Sequence, residues 1–447
     1  VAPAAPPSRE RPPDAPFSRG GQVVTGASSQ APVGGKLLSR LGRIDVRLVL
    51  GMAAALLFLL AGQPLRFVAV FASEMVNDKT VVPICSAMGF AHVLQATGCD
   101  RHLVHLLLRP LRHAGPLLLP AAVGVGFLVN TAMVSQTSTA ATIGVVLVPL
   151  LRGAGYAQTI AGAALLLGSS VGGEQLNPGA VEIVTLAALT GQSATEVVRR
   201  VLPMNLLSAA TALVAFTILA LRRDRSEPEV ADCAPALPRV SLVQAAVPVV
   251  PLVLLLAAPP AALGPAGASG GTRIAAAMLV GVLAAGLASP RTLGQLAAAF
   301  FAGAGYAYTH VISLIVVATA LTEGLKLHGF IEALARGLGG RPLILLSAAI
   351  LLPCSLAALT GSGIAPAVAV MKVLVPMADQ AGMDPTRLGA LVSISAQLGR
   401  TMSPAAAVVM MSASLSGAPP WVLLRHVAPP LLLSAAVLLA ASAVGLI

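Results

Sequence analysis

Charge is scarce in this chain. Asp, Glu, Lys and Arg make up 10% of its 447 residues, against 56% hydrophobic ones. Soluble domains carry roughly 25% charged residues, so a soluble globular protein is excluded. Aromatic residues are rarer still, at 3% with a single Trp. Cysteine is limited to Cys85, Cys99, Cys233 and Cys354 without any C-x-x-C spacing, which leaves no disulfide framework and no thiolate metal site. The seven histidines form no H-E-x-x-H. Basic residues outnumber acidic ones, 28 to 17, for a formal net charge of +11. No nucleic-acid-binding motif accompanies that charge, and no nucleic-acid partner is expected. It fits the Lys and Arg that collect in cytoplasmic loops of membrane proteins.

What the chain does have is long apolar runs. A membrane span needs about 20 apolar residues, and clear candidates are 46–62, 80–97, 200–221, 242–260, 273–289, 306–322 and 421–446. Longer apolar stretches at 116–150, 158–190, 342–378 and 386–417 are interrupted by Gly, Ser, Thr, Asn and Pro. The expectation is an all-α polytopic membrane protein of about ten segments, embedded in a lipid bilayer. Residues 1–35 are rich in Pro, Gly, Ser and Ala without a signal-peptide core, and read as a disordered tail. The chain opens on Val1, so an alternative start or a shortened N-terminus is expected. The hydrophilic segment 222–240 reads as a linker between a first membrane repeat, 36–221, and a second, 241–447.

Those two halves are related. "GPLLLPAAVGVGFLVNTAMVSQTSTAATIGVVLVPLLRGAGY" (115–156) resembles "RPLILLSAAILLPCSLAALTGSGIAPAVAVMKVLVPMADQAGM" (341–383). The likeness continues from 165–191 to 392–417, at an offset of about 226 residues with a one-residue slip. Each half reads as plain helices, a polar-tipped re-entrant hairpin, an interrupted helix and a last plain helix. Arms such as 342–359 and 364–378 look short for a full crossing. The unit then has an odd number of spans, and the second copy is inserted upside down, as in secondary transporters with inverted repeats. Lys36, Arg40, Arg43, the bases of 101–112 and the linker fall on one side, expected to be cytoplasmic. Arg199, Arg200, Lys326 and Arg336 fall on the other. Residues 242–260 form an extra helix whose counterpart near 16–34 is polar.

Irregular backbone survives in a bilayer only inside protein or beside a watery cavity. Four interruptions occur: the hairpin tips "VSQTSTA" (134–140) and "LTGSGIAP" (359–366), and the helix breaks "GSSVGGEQLNPG" (168–179) and "SAQLGRTMSP" (395–404). Pro178 and Pro404 sit where a helix would restart, and such a restart presents free N–H groups and a partial positive charge to an anion. Helix ends of the opposite polarity offer carbonyls suited to Na⁺. Small hydroxyls and glycines also serve close helix packing, and for any one of them that role is open. Arg400 has three readings: it snorkels, it pairs with Glu174 or Glu182, or it holds a substrate carboxylate. The last is adopted here. Lys372 is a weaker second cation, with interfacial snorkelling as its alternative, and Glu323 and Lys326 read as interfacial.

"GFAHVLQATGCDRHLVHLLLRPL" (89–111), "LTGSGIAPAVAVMKVLVP" (359–376) and "QLGRTMSPAAAVV" (397–409) resemble the anaerobic C4-dicarboxylate carriers of the DcuC type, which carry a T-G-S-G-x-A-P tip and an N-L-G-R-T-x-S-P loop. The likeness runs from about residue 46 to the C-terminus and places the chain in the wider ion transporter superfamily. It implies secondary transport of succinate, fumarate or malate across a bacterial inner membrane by uptake, exchange or efflux. Coupling to Na⁺ or H⁺, or exchange against a second dicarboxylate, is open, and no enzyme activity is expected. The substrate loop it implies is Gln397, Gly399, Arg400, Thr401 and Ser403, facing Thr360, Gly361, Ser362 and Gly363. In the first half Ser135 and Thr137 match the tip, and Asn177 falls at the turn. Gln397 stands where the family has Asn, and Glu174 is new to the first loop. A homodimer is one candidate assembly. The alternatives are a carrier for another small organic anion, a passive channel, and an intramembrane hydrolase. The last is disfavoured because Thr360 fills the first Gly position of a G-x-S-G and no His partner is placed on a later helix.

Overall fold

The computed structural model describes residues 46–221, 240–258, 260–264, 269–330, 333 and 342–446. The expected tail at 1–35, the polar segment 16–34, Lys36, Arg40, Arg43, Arg336 and linker residues 222–239 lie outside them. Every element among the described residues is helical. The first half runs α1 (Val46–Leu60), α2 (Pro64–Met75), α3 (Val81–Thr97), α4 (Cys99–Leu108), α5 (Leu118–Met133), α6 (Gln136–Gly153), α7 (Gln158–Ser170), α8 (Val181–Thr190) and α9 (Ala194–Leu221). The second runs α10 (Leu242–Ala246), α11 (Val250–Ala257), α12 (Gly270–Ala288), α13 (Leu296–Ala307), α14 (Ser313–Leu327), α15 (Pro342–Thr360), α16 (Ile364–Leu374), α17 (Pro385–Thr401), α18 (Ala407–Ser416) and α19 (Pro420–Ala443).

Six described helices are long and apolar enough to cross a membrane, or seven if the pair α3–α4, bent by 77°, is one span. Gly98 makes that bend with φ 72°, a conformation glycine adopts without strain. The count falls below ten for visible reasons. Pro248 and Pro251 chop 242–257 into α10, a 3-10 turn and α11. Residues 290–327 form one continuous 38-residue helical stretch through α13 and α14. The first hairpin arms are not short: α15, like 115–133, has 19 residues, about 28 Å at 1.5 Å per residue and close to a bilayer's hydrocarbon core. Only the second arm α16, with 11 residues, is clearly too short. The amphipathic helix α2 has no place in the sequence reading.

The two halves show matched local geometry at positions the sequence likeness pairs. α8 and α18 start after Ala180 and Ala406, both in extended backbone, and stop at left-handed Gly191 and Gly417. At the hairpin tips Val134 (φ 56°) matches Gly361 (φ 72°), and their N–H groups donate to Asn130 and Ala357, each four residues back. Packing is reciprocal as well. α5 lies on α7 as α15 lies on α17, and α6 touches α18 as α16 touches α8. α1 meets α14 as α12 meets α3. Ser208 and Ser434, equivalent positions on α9 and α19, hydrogen-bond to each other at 2.7 Å. Glycine sets the tightest approaches: a Cβ on Gly173 would collide with the Phe127 carbonyl, and one on Gly399 with the backbone of Cys354.

Candidate functional site

The two tips and two breaks converge on one cavity of about 360 Å³. Its walls include the first residues of four helices: Gln136 of α6, Val181 of α8, Ile364 of α16 and Ala407 of α18. α8, α16 and α18 have no side-chain cap, which leaves N–H groups of their first turns without intrahelical partners. At α6 the Oγ of Ser135 caps the Ser138 N–H. Four positive helix ends around one polar space favour negative charge there.

Arg400 closes one wall from the last turn of α17. Its Nη2 donates to Glu174 Oε1 at 2.9 Å, with the two side chains 12% and 5% exposed. Glu174 stands in a 3-10 turn entered through Gly172, at φ 106°, whose carbonyl accepts from Asn205 Nδ2 at 2.9 Å. Gln136 Nε2 donates to Glu174 Oε1 (2.7 Å) and to Gln397 Oε1 (2.8 Å). Gln397 Nε2 in turn donates to Glu182 Oε1 at 2.7 Å. A buried chain thus runs from Arg400 through Glu174, Gln136 and Gln397 to Glu182. The Nε of Arg400 and the Oε1 of Gln136 are buried without a partner.

Of the expected residues, Ser135, Thr137, Gly361, Ser362, Gly363 and Arg400 border the cavity. Gly363 lies against the guanidinium: a Cβ there would sit 3.1 Å from Arg400 Nε. The others spend their polar groups within the protein or hold the backbone. Asn177 donates to Thr131 O and accepts from Gly179 N–H, each at 2.9 Å. Thr360 donates to Leu356 O, and Thr401 to Gln397 O, both at 2.8 Å. Ser403 accepts from Ala405 N–H at 3.3 Å. Gln397 is the link in the chain, and Gly399 lets α17 press on α15.

Three polar wall residues escaped the sequence reading. Gln136 lies in the first tip between Ser135 and Thr137, where the small hydroxyls carry the pattern. Tyr306 and His310 stack at 4.1 Å and 21°, joined by a π-helical turn over Tyr308–Ile312. Such turns gather at functional sites, and neither hydropathy nor spacing reveals them.

The model of a family described as the C4-dicarboxylate anaerobic carrier, DcuC, matches residues 80–446. The chain belongs to that family. An uncharacterized transporter of Haemophilus influenzae is 37% identical to this carrier over 120 residues, 27% of this chain and 83% of that one. The anaerobic C4-dicarboxylate transporter DcuC of Escherichia coli K12 is 29% identical over 145 residues, 32% of each chain. Among solved structures, the YdaH transporter of Alcanivorax borkumensis shares the fold at a TM-score of 0.60 and 16% identity, over 86% of this chain and 89% of that one. The carrier is therefore a multi-pass membrane transporter and no enzyme.

Lys372 of the carrier does not snorkel. It is buried on α16 and donates to Ile315 O at 3.3 Å, with Glu74 Oε2 at 3.9 Å. Thr319 Oγ1 and Asn77 Nδ2 also donate to Glu74, each at 3.3 Å. Lys372 thus ties the second hairpin to α14 and α2, away from the cavity. Glu74→Leu strands a buried ammonium and should lower stability in detergent by about 1–3 kcal/mol, less than a fully buried pair would because Glu74 is partly exposed. Lys372→Met, which leaves Glu74 its two neutral donors, should change the melting temperature little. Glu323 and Lys326 form a partly exposed pair at 2.7 Å.

Proposed function

We propose that the carrier moves C4-dicarboxylates such as succinate, fumarate and malate across a bacterial inner membrane by alternating access. The two repeats are inverted in the bilayer, and the substrate sits between their tips and breaks. The observation that carries this reading is the convergence of four helix N-termini on the cavity that Arg400 borders. A substrate carboxylate takes the free Nε and the outer edge of the guanidinium, a planar fork matched to carboxylate. Ser135, Thr137 and Ser362 hydroxyls and the N–H groups near Gly361 and Gly363 bind the other oxygens. The remaining expected residues shape the walls behind them.

A second reading has its own support. Arg400 is the one Lys or Arg on the described cavity wall, and a single cation suits a monocarboxylate. Counterflow of labelled succinate into proteoliposomes decides between them. Saturable uptake, chased by unlabelled succinate, fumarate and malate and not by acetate or lactate, is expected. Robust lactate flux without succinate flux would move the assignment to monocarboxylates. Flux that rises linearly without saturation would mark a channel.

A further inference from the structure

We propose that Glu174 and Glu182 are a linked pair of proton sites, loaded together when a dicarboxylate takes Arg400. This deepens the transport reading above and rests on it.

Charge is the first argument. The ionisable groups in the buried network are Arg400 from α17, Glu174 from the first break and Glu182 from α8. Tyr306 and His310 also line the cavity, with the His92 ring tilted at 42° against Tyr306 at 5.8 Å. Lys372, on the hairpin packed beside α8, is turned to the Ile315 carbonyl. With both glutamates ionised, one guanidinium against two carboxylates leaves one net negative charge. A bound dianion would raise that to three inside a desolvated space. With both glutamates protonated the total returns to one. Occupied and empty sites then carry equal charge, and the dianion moves with two protons as a neutral load.

Geometry is the second. The amides of Gln136 and Gln397 join the two carboxylates, and in this structure they donate toward both. That polarity serves carboxylates and leaves Gln136 Oε1 buried without a donor. A carboxylic acid needs an acceptor instead. Turning both amides over supplies it: Gln136 Oε1 then accepts from the Glu174 O–H and from Gln397 Nε2, while Gln397 Oε1 accepts from the Glu182 O–H. Turning only one amide would set two N–H₂ groups or two carbonyl oxygens face to face. The chain therefore has two self-consistent polarities, one for two carboxylates and one for two acids.

The third is the unpartnered Arg400 Nε, beside the cavity and already held in place by Glu174. When a substrate carboxylate draws the guanidinium over, Glu174 loses its counter-charge. One O–H bond then forms on each glutamate as one O–H bond of a hydronium ion from the bulk breaks and leaves water, and no other bond changes.

The test is proton counting on the purified full chain in weakly buffered detergent near neutral pH, where succinate is fully ionised. Binding is followed by calorimetry and pH by an indicator dye. Wild type should take up about two protons per bound succinate, and its affinity should fall by more than the tenfold per pH unit that a single proton gives. Gln397→Met keeps both acids and cuts the chain, and should take up about one proton with a shallower pH slope. Succinate binding with no proton uptake, or affinity set by Na⁺ in place of pH, would overturn the linked pair and leave the transport reading standing. No succinate binding by monodisperse protein would overturn both.

Discussion

Replacing Arg400 by glutamine should end succinate transport, with flux in proteoliposomes lowered by at least about 100-fold, the equivalent of roughly 2.8 kcal/mol of lost charge-assisted binding. The same change should destabilise the fold. Glu174 and Glu182 would remain buried with no guanidinium, and breaking a buried ion pair from one side costs about 3–5 kcal/mol. The two effects separate in a double variant. Arg400→Gln with Glu174→Gln replaces the pair by two amides that can bond to each other, so most of the melting temperature should return. Transport should not return, because no cation faces the cavity. Arg400→Lys is the harder control. It restores charge, yet a point-like ammonium cannot grip a substrate carboxylate bidentately as the planar guanidinium fork does, so flux should stay low. Full transport in Arg400→Gln would remove Arg400 from the site.

How much of this was legible beforehand depends on what sequence periodicity reports. The likeness of the two halves was, because it rests on matched words along the chain, and Ala180 with Ala406 or Gly191 with Gly417 have matching backbone conformations. The one-residue slip was visible but not its place. Val134 takes the left-handed backbone that Gly361 takes, and a β-branched residue gives no warning of that conformation. Arg400 declared itself as a charge in apolar sequence, and Glu174 and Glu182 were in view as its partners. The route from Arg400 to Glu182 was not, since it passes through two glutamine amides from different halves. Depth and facing were the weak points. Hydropathy places Lys372 near the end of an arm and says nothing of the Ile315 carbonyl it turns to. The π turn beneath His310 changes which residues share a face without changing composition.

The largest structural effect should come from a single methyl group on Gly399. Its Cβ would enter the backbone of Cys354 on α15, and backbone, unlike a side chain, has no rotamer into which to retreat. α17 must back away from α15 along their contact. Overpacking a core usually costs about 1–3 kcal/mol, and a backbone collision belongs at or above the top of that range. The cost is not only stability. Arg400 is the next residue, and Gly363 leaves just enough room for its guanidinium. A shift of α17 therefore moves the charge relative to the second tip, and transport should fall even in the fraction that folds. Gly126→Ala makes a parallel case in the first half, where the new Cβ would lie 2.8 Å from the backbone of Gly168. Gly124, two residues earlier on the same helix α5, has nothing within 4 Å of an added Cβ, and Gly124→Ala should be neutral or gain about 0.5–1 kcal/mol from helix propensity. Thermal melts of the three variants in detergent, beside succinate flux, separate close packing from backbone flexibility. If glycine served these helices by flexibility, Gly124→Ala and Gly126→Ala would behave alike. Contact predicts that they diverge, with Gly126→Ala losing stability and Gly124→Ala keeping it.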